Sequence, residues 1–247
     1  MSYRQIIFAN GEYYHLFNRS VGDENIFDGA WNINHMLDLM DYYRFRHSIR
    51  FSKLKELTKK DRSAYLNEIA SKTDPLVELY CYAFMPNHFH IIARQLETNG
   101  IRNFVSNIQN GYAKYYNLKK NRHGGVFINP YQATWLEKEG QFVHVTRYVH
   151  LNPVTSFIVE FDKLNTVLGS SFMYYSDLNM KPVRLFDEHL HNAFVINRDF
   201  VLSMFASQKK YIKFMCDRVD YQRQLKKIEG LLSNEEKLRL TIRRVQG

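Results

Sequence analysis

Leu76-Val77-Glu78-Leu79-Tyr80-Cys81-Tyr82-Ala83-Phe84-Met85-Pro86-Asn87-His88-Phe89-His90-Ile91-Ile92-Ala93-Arg94 is the stretch from which the fold is read. From Leu76 to Met85 it is almost continuously apolar and aromatic, the pattern of a strand covered on both faces. Pro86-Asn87 is a turn signal, because proline fixes φ and asparagine tolerates turn backbone. His88 to Arg94 then reads as a returning strand, and the two form a hairpin. A period of two sends His88 and His90 to one face and Phe89 into the core. Two imidazoles on one strand face make a ready pair of cation ligands; two half-exposed surface histidines are the plainer reading of the same three residues.

The flanking segments extend this hairpin into a sheet. Tyr13 to Arg19 has the aromatic, alternating character of a strand, and Gly22 to Asn25 reads as a loop. Ile33, Met36, Leu37 and Met40 recur at three- and four-residue spacing and predict a helix. The Lys-rich stretch Ser52 to Ser71 predicts a second, more exposed helix ended by Asp74-Pro75. Ile101 to Lys120 reads as a helix with Phe104, Ile108, Tyr112 and Tyr115 on one stripe, stopped at His123-Gly124-Gly125. A short strand from Tyr131 to Leu136 and a helix from Gln141 to Leu151, bounded by Pro153, complete the series. Strand, helix, strand, strand, helix, strand, helix is the split β-α-β layout, so the expected class is α+β: a ferredoxin-like antiparallel sheet with helices packed on it. Residues 1–185 form that domain, and 186–247 read as a basic, helical C-terminal extension.

Bulk composition narrows the partners. The 247 residues carry a formal charge of +9 with 15% aromatic side chains, enough apolar matter for a buried core and a surface that attracts polyanions. Residues 201–247 hold eleven Lys or Arg against five Asp or Glu, so the charge concentrates at that end. No apolar run reaches the roughly twenty residues needed to span a bilayer, and the stretch from Met1 to Ile6 does not lead into a signal-peptide core. No membrane role and a cytoplasmic location are therefore expected. Cys81 and Cys216 are too few for a disulfide framework or a zinc site and read as ordinary buried thiols.

A second motif is Arg147-Tyr148-Val149-His150-Leu151-Asn152-Pro153-Val154. Tyr148 and Asn152 are four apart and project from one helix face, with His144 one turn earlier. Phe142, Val145 and Val149 form the neighbouring apolar stripe through which such a helix packs. Taken alone, Tyr148 reads as a packing residue at the core rim.

Together the two motifs resemble those of the REP-associated tyrosine transposases, relatives of the single-strand insertion-sequence transposases. Tyr82 to Ile92 is similar to that family's HUH motif (histidine, hydrophobic, histidine), and Arg147 to Val154 to its tyrosine motif. Tyr14-His15, Asn18-Arg19, Ile26-Phe27, Gly125-Val126-Phe127 and Ser170-Ser171-Phe172 agree in order, so the resemblance spans about residues 10 to 175. It implies that His88 and His90 hold a divalent cation, with Asn152 as third ligand or metal-shell group, and that Tyr148 is the nucleophile. It also implies a 5′-phosphotyrosine link, a free 3′-hydroxyl and a single-stranded or hairpin DNA substrate.

The chemistry agrees with these residue types. A cation neutralises the non-bridging oxygens of a phosphodiester and aligns it with the attacker. Two imidazoles, one amide oxygen and open positions suit Mg²⁺ or Mn²⁺ better than zinc. Lys114, Lys119 and Lys120 beside Tyr116 form a tract able to follow a DNA backbone and stack a base, with a solvated helix face as the plainer reading. Arg147 joins them as a candidate DNA contact, and Lys209, Lys210, Lys213, Lys226, Lys227, Arg243 and Arg244 are candidates in the extension. A non-catalytic hairpin-binding protein, a metal-dependent hydrolase using water and a replication-initiation or relaxase-type nuclease are the alternatives, and both a monomer and a homodimer stay open.

Overall fold

A computed structural model describes residues 6–180 and 196–224. Lys226, Lys227, Arg243 and Arg244, the opening Met1 to Gln5 and the expected domain boundary at 185/186 lie outside the described residues.

The elements run β1 (Tyr13–Arg19), α1 (Ala30–Tyr43), α2 (Phe51–Leu54), α3 (Lys59–Lys72), β2 (Val77–Met85), β3 (His88–Gln95), α4 (Gly100–Lys120), β4 (Gln132–Trp135), α5 (Glu139–Thr155), α6 (Phe172–Ser176), α7 (Arg198–Ser203) and α8 (Gln208–Cys216). The four strands form one antiparallel sheet in the order β2-β3-β1-β4. With a helix after β1 and another after β3, this is the expected ferredoxin-like plan, extended by a C-terminal helical segment.

The sheet is covered on both faces. Phe89 reaches one of them, where Phe27 at 6.5 Å and Phe127 at 5.8 Å meet it and Tyr112 of α4 packs on Phe27 at 5.0 Å. α1 and α4 lie together there. At Gly100 the first turn of α4 comes so close to β2 that a Cβ would stand 2.3 Å from the Leu76 carbonyl oxygen, which only glycine allows. The stripe of α4 continues from Tyr112 to Tyr116, four residues on, and not to Tyr115, which stays half-buried.

α5 covers the opposite face. Its first turn sets Phe142 against Tyr13 and Tyr80, with ring centroids 5.3 Å apart in each pair. A bulge in β2 makes this contact: Leu79 pairs with Ala93 and Cys81 with Ile92, so two residues of β2 oppose one step of β3. Tyr80 therefore joins Cys81 on the α5 side, where the Thr146 hydroxyl meets the Cys81 thiol. The outer edge of β2 is protected by loop segments: Phe84 N–H donates to the Gly169 carbonyl at 2.7 Å, and Asn197 N–H to the Leu79 carbonyl at 2.8 Å.

Three local expectations need correction. Pro153 does not end α5, which runs to Thr155; proline removes one donor, and Ser156 N–H still closes on the Asn152 carbonyl at 3.0 Å. The stretch from Ser52 to Ser71 is two helices, because Thr58 caps a new one by accepting from Asp61 N–H at 3.2 Å. Cys81 is buried as expected, but Cys216 is exposed at the end of α8.

The described part of the extension packs on this domain. Tyr211 of α8 is fully buried and its hydroxyl lies 2.6 Å from Nδ1 of His150 on α5, whose Nε2 is 2.8 Å from the Ser171 hydroxyl. Among the described residues no helix is long and apolar enough to cross a membrane.

Candidate active site

The histidine pair sits on the α5 face of β3. His88 is half-buried and His90 is buried, with ring centroids 5.1 Å apart and planes near perpendicular at 89°. Cross-strand register places Phe17 opposite His90 and Arg19 opposite His88.

α5 runs along the sheet from the Tyr13 end towards the His88 end, as its contacts at Phe142 and then Tyr148 show. The Tyr148 ring stands edge-on to two imidazoles, 5.3 Å from His90 and 6.0 Å from His15. Histidines from the sheet and the tyrosine from the helix thus meet at one place, although 57 residues of chain separate His90 from Tyr148 along the numbering.

Asn152 follows one turn later and is buried. Its Nδ2 donates to the Tyr148 carbonyl at 3.2 Å. That bond fixes the amide orientation, because a flip would set two oxygens against each other. Its Oδ1 is consequently buried, and among the described residues it has no hydrogen-bond partner. A buried acceptor without a donor costs about 1–3 kcal/mol, so the position favours a ligand that accepts electron density from oxygen.

Both imidazoles of the pair are held through Nδ1. His88 Nδ1 lies 2.6 Å from Asn87 Oδ1. An amide oxygen only accepts, so this nitrogen carries a proton and, in the neutral ring, Nε2 carries the lone pair. His90 Nδ1 lies 2.9 Å from Nε2 of His15, which is itself buried and stacked on His90 and Phe17. Burial pushes the His15 pKa down to about 3, leaving a neutral ring with one donor and one acceptor. Among the described residues no three His, Cys, Asp or Glu side chains cluster into a metal cage. The orphaned amide oxygen and the two held imidazoles are donor types that fit a hard divalent ion with open positions.

The expected DNA contacts are not all alike. Lys114, Lys119 and Lys120 are exposed on α4, and the Lys119 ammonium donates to Asn32 Oδ1 at 2.7 Å. Tyr116 is 1% exposed and donates its hydroxyl to Glu24; burial, then that bond, pushes its pKa up to about 12, and its place in the core does not suit base stacking. Arg147 is 8% exposed and held against α8, with one guanidinium nitrogen 2.9 Å from His144 Nδ1. Its place is equally unsuited to a DNA contact. An open groove of about 890 Å³ between α4 and the 125–131 segment, lined in part by Arg102, Gln109 and Tyr131, contains none of the groups around Tyr148.

His15 and Asn87 contact the histidine pair, which motif reading did not anticipate. The alternation in Tyr13-Tyr14-His15-Leu16-Phe17 puts His15 on the face of Tyr13 and Phe17. Only the strand register brings it to His90.

No protein-family model matches the chain, and no curated protein does. Among solved structures it is similar to one described as the REP-associated tyrosine transposase bound to a REP hairpin, with a TM-score of 0.47 and 12% identity over 74% of this chain and 89% of that one.

Proposed function

We propose that this chain is a metal-assisted DNA strand-cleaving and rejoining enzyme, a single-tyrosine transposase of the HUH kind acting on single-stranded or hairpin DNA. The observation that carries the reading is the Tyr148 ring 5.3 Å from His90, on the face that also holds His88. The motif resemblance spanning residues 10 to 175 and the formal charge of +9 support the same substrate class.

In this reading His88, His90 and Asn152 hold Mg²⁺ or Mn²⁺, which when bound offsets charge on the scissile phosphate. The Tyr148 Oη attacks phosphorus and gives up its proton; the Oη–P bond forms as the P–O3′ bond breaks. The leaving oxygen takes a proton and becomes a 3′-hydroxyl, while the 5′-phosphate stays on the tyrosine. Attack by a 3′-hydroxyl of another strand reverses each bond change and returns the proton to Tyr148, so no external energy source is needed. Lys114, Lys119 and Lys120 on α4, and Lys209, Lys210 and Lys213 on α8, are candidates to follow the backbone.

The test is covalent capture. Hairpin DNA with a single-stranded flank, incubated with the protein and Mn²⁺, should give a protein–DNA adduct resistant to denaturation. Tyr148→Phe should give none while still binding the hairpin. An adduct retained by Tyr148→Phe would refute the nucleophile; cleaved DNA without any adduct would favour a hydrolase using water, and binding without cleavage a hairpin-binding protein.

A further inference from the structure

We propose that His15 is a positioning residue that selects the ligating tautomer of His90, by accepting a hydrogen bond from His90 Nδ1–H; this rests on the reading of His88 and His90 as a cation site. The polar contact between the two rings runs from His15 Nε2 to His90 Nδ1 at 2.9 Å. With Nδ1 engaged, His90 can coordinate a cation only through Nε2. Nε2 has a lone pair to give only when the ring's single proton sits on Nδ1. In that state His90 is the donor of the pair and His15 Nε2 the acceptor. In the opposite state His15 donates, the His90 proton sits on Nε2, and the ring cannot ligate.

The neighbouring ligand has a simpler arrangement with the same outcome. The Asn87 oxygen is an obligate acceptor for His88 Nδ1–H, so the neutral His88 ring keeps its lone pair on Nε2. His90 has a two-way partner in its place, and its competence therefore depends on which ring holds the shared proton. His15 is well placed to hold the geometry fixed. It is 5% exposed, is stacked on His90 at 5.1 Å and on Phe17 at 4.9 Å, and sits in the central part of β1 between β3 and β4. Phe17 and His90 stand 5.8 Å apart, so the three rings form one packed cluster in which His15 and His90 keep their contact.

Two measurements on the full chain test this. In the wild-type protein, nitrogen NMR of ¹⁵N-histidine-labelled material reads the tautomer directly. His90 should show a protonated Nδ1 and an unprotonated Nε2, and a protonated Nε2 with Mn²⁺ absent and unchanged on adding the diamagnetic Mg²⁺ would overturn the proposal. Mn²⁺ affinity, read without DNA from the electron paramagnetic resonance signal of the free ion, should fall 10- to 100-fold in His15→Leu, the range for loss of such a supporting partner. His15→Gln, whose amide oxygen can accept, should recover most of that affinity. His15→Leu binding Mn²⁺ as tightly as wild type, where His90→Ala has lost it, would overturn the role of His15 and leave the cation site standing. Wild type binding no more Mn²⁺ than His90→Ala would instead overturn the cation site itself.

Discussion

The Arg147 guanidinium lies 4.0 Å from the centroid of the Phe214 ring, over its face, and one of its nitrogens donates to the Phe214 carbonyl at 3.4 Å. This contact fastens α8 to the helix that carries Tyr148. Removing it should destabilise the protein, at about 2–3 kcal/mol for Arg147→Ala in urea unfolding, from the lost cation–π contact and its hydrogen bonds. It should leave the salt dependence of DNA binding unchanged. Lys119→Ala and Lys120→Ala should do the reverse, each lowering the slope of log affinity against log salt by about 0.7–0.9 if its ammonium meets a phosphate.

The buried His150 relay from Tyr211 to Ser171 is a second fastening between α5, α8 and the covered edge of β2. Tyr211→Phe strands one imidazole nitrogen in the core and should cost about 1–3 kcal/mol. Ser171→Ala strands the other. Because both act through one ring, the double variant should depart from additivity by at least about 0.5 kcal/mol in equilibrium unfolding.

Asn152 should separate stability from cation binding. Its side chain makes one bond to its own helix and leaves an oxygen unpartnered, so Asn152→Ala should change unfolding free energy by less than about 1 kcal/mol. The same variant should weaken Mn²⁺ binding in calorimetry. Equal Mn²⁺ affinity in variant and wild type would remove Asn152 from the ligand set.

Acid should loosen the α1–α3 region. His47 stacks on Tyr42 at 3.5 Å, and burial lowers its pKa from 6.5 to about 4; burial, then Lys55 and Lys119, lower His35 to about 4. A histidine kept neutral by the fold binds its proton more readily when unfolded. Its contribution is therefore complete above pH 6.5 and declines as pH falls from there towards 4. At pH 5 each should have lost about 1 kcal/mol after allowance for partial solvent screening. Thermal melting at pH 7 and pH 5 should show the drop, and His47→Gln should reduce it.

The sheet was legible because its hairpin states itself in sequence: an apolar run, Pro86-Asn87, then His-Phe-His alternation. The pairing of Tyr148 with His90 was legible only through motif resemblance, since nothing local in α5 points at a strand. Cross-strand partners were not legible at all. His15 looks like any polar residue on a half-buried strand until register sets it opposite Ile92, beside His90. Tyr116 misleads because three lysines stand near it in the chain, whereas the 3.6-residue turn carries it under Tyr112 and into the core. Arg147 misleads similarly: its neighbour Tyr148 faces the histidines, and one step of about 100° turns Arg147 towards α8.

The extra residue in β2 has a consequence for how this chain tolerates changes in length. Excising Tyr80 alone would leave Leu79 and Cys81 facing Ala93 and Ile92 as before, sacrificing one ring of the aromatic packing beneath Phe142 but sparing the orientation of everything downstream. Excising Tyr82 would turn the remainder of the strand inside out relative to its partner. A one-residue deletion therefore preserves the register of this strand at Tyr80, at the cost of a fully buried ring, and that position lies away from the His88 end.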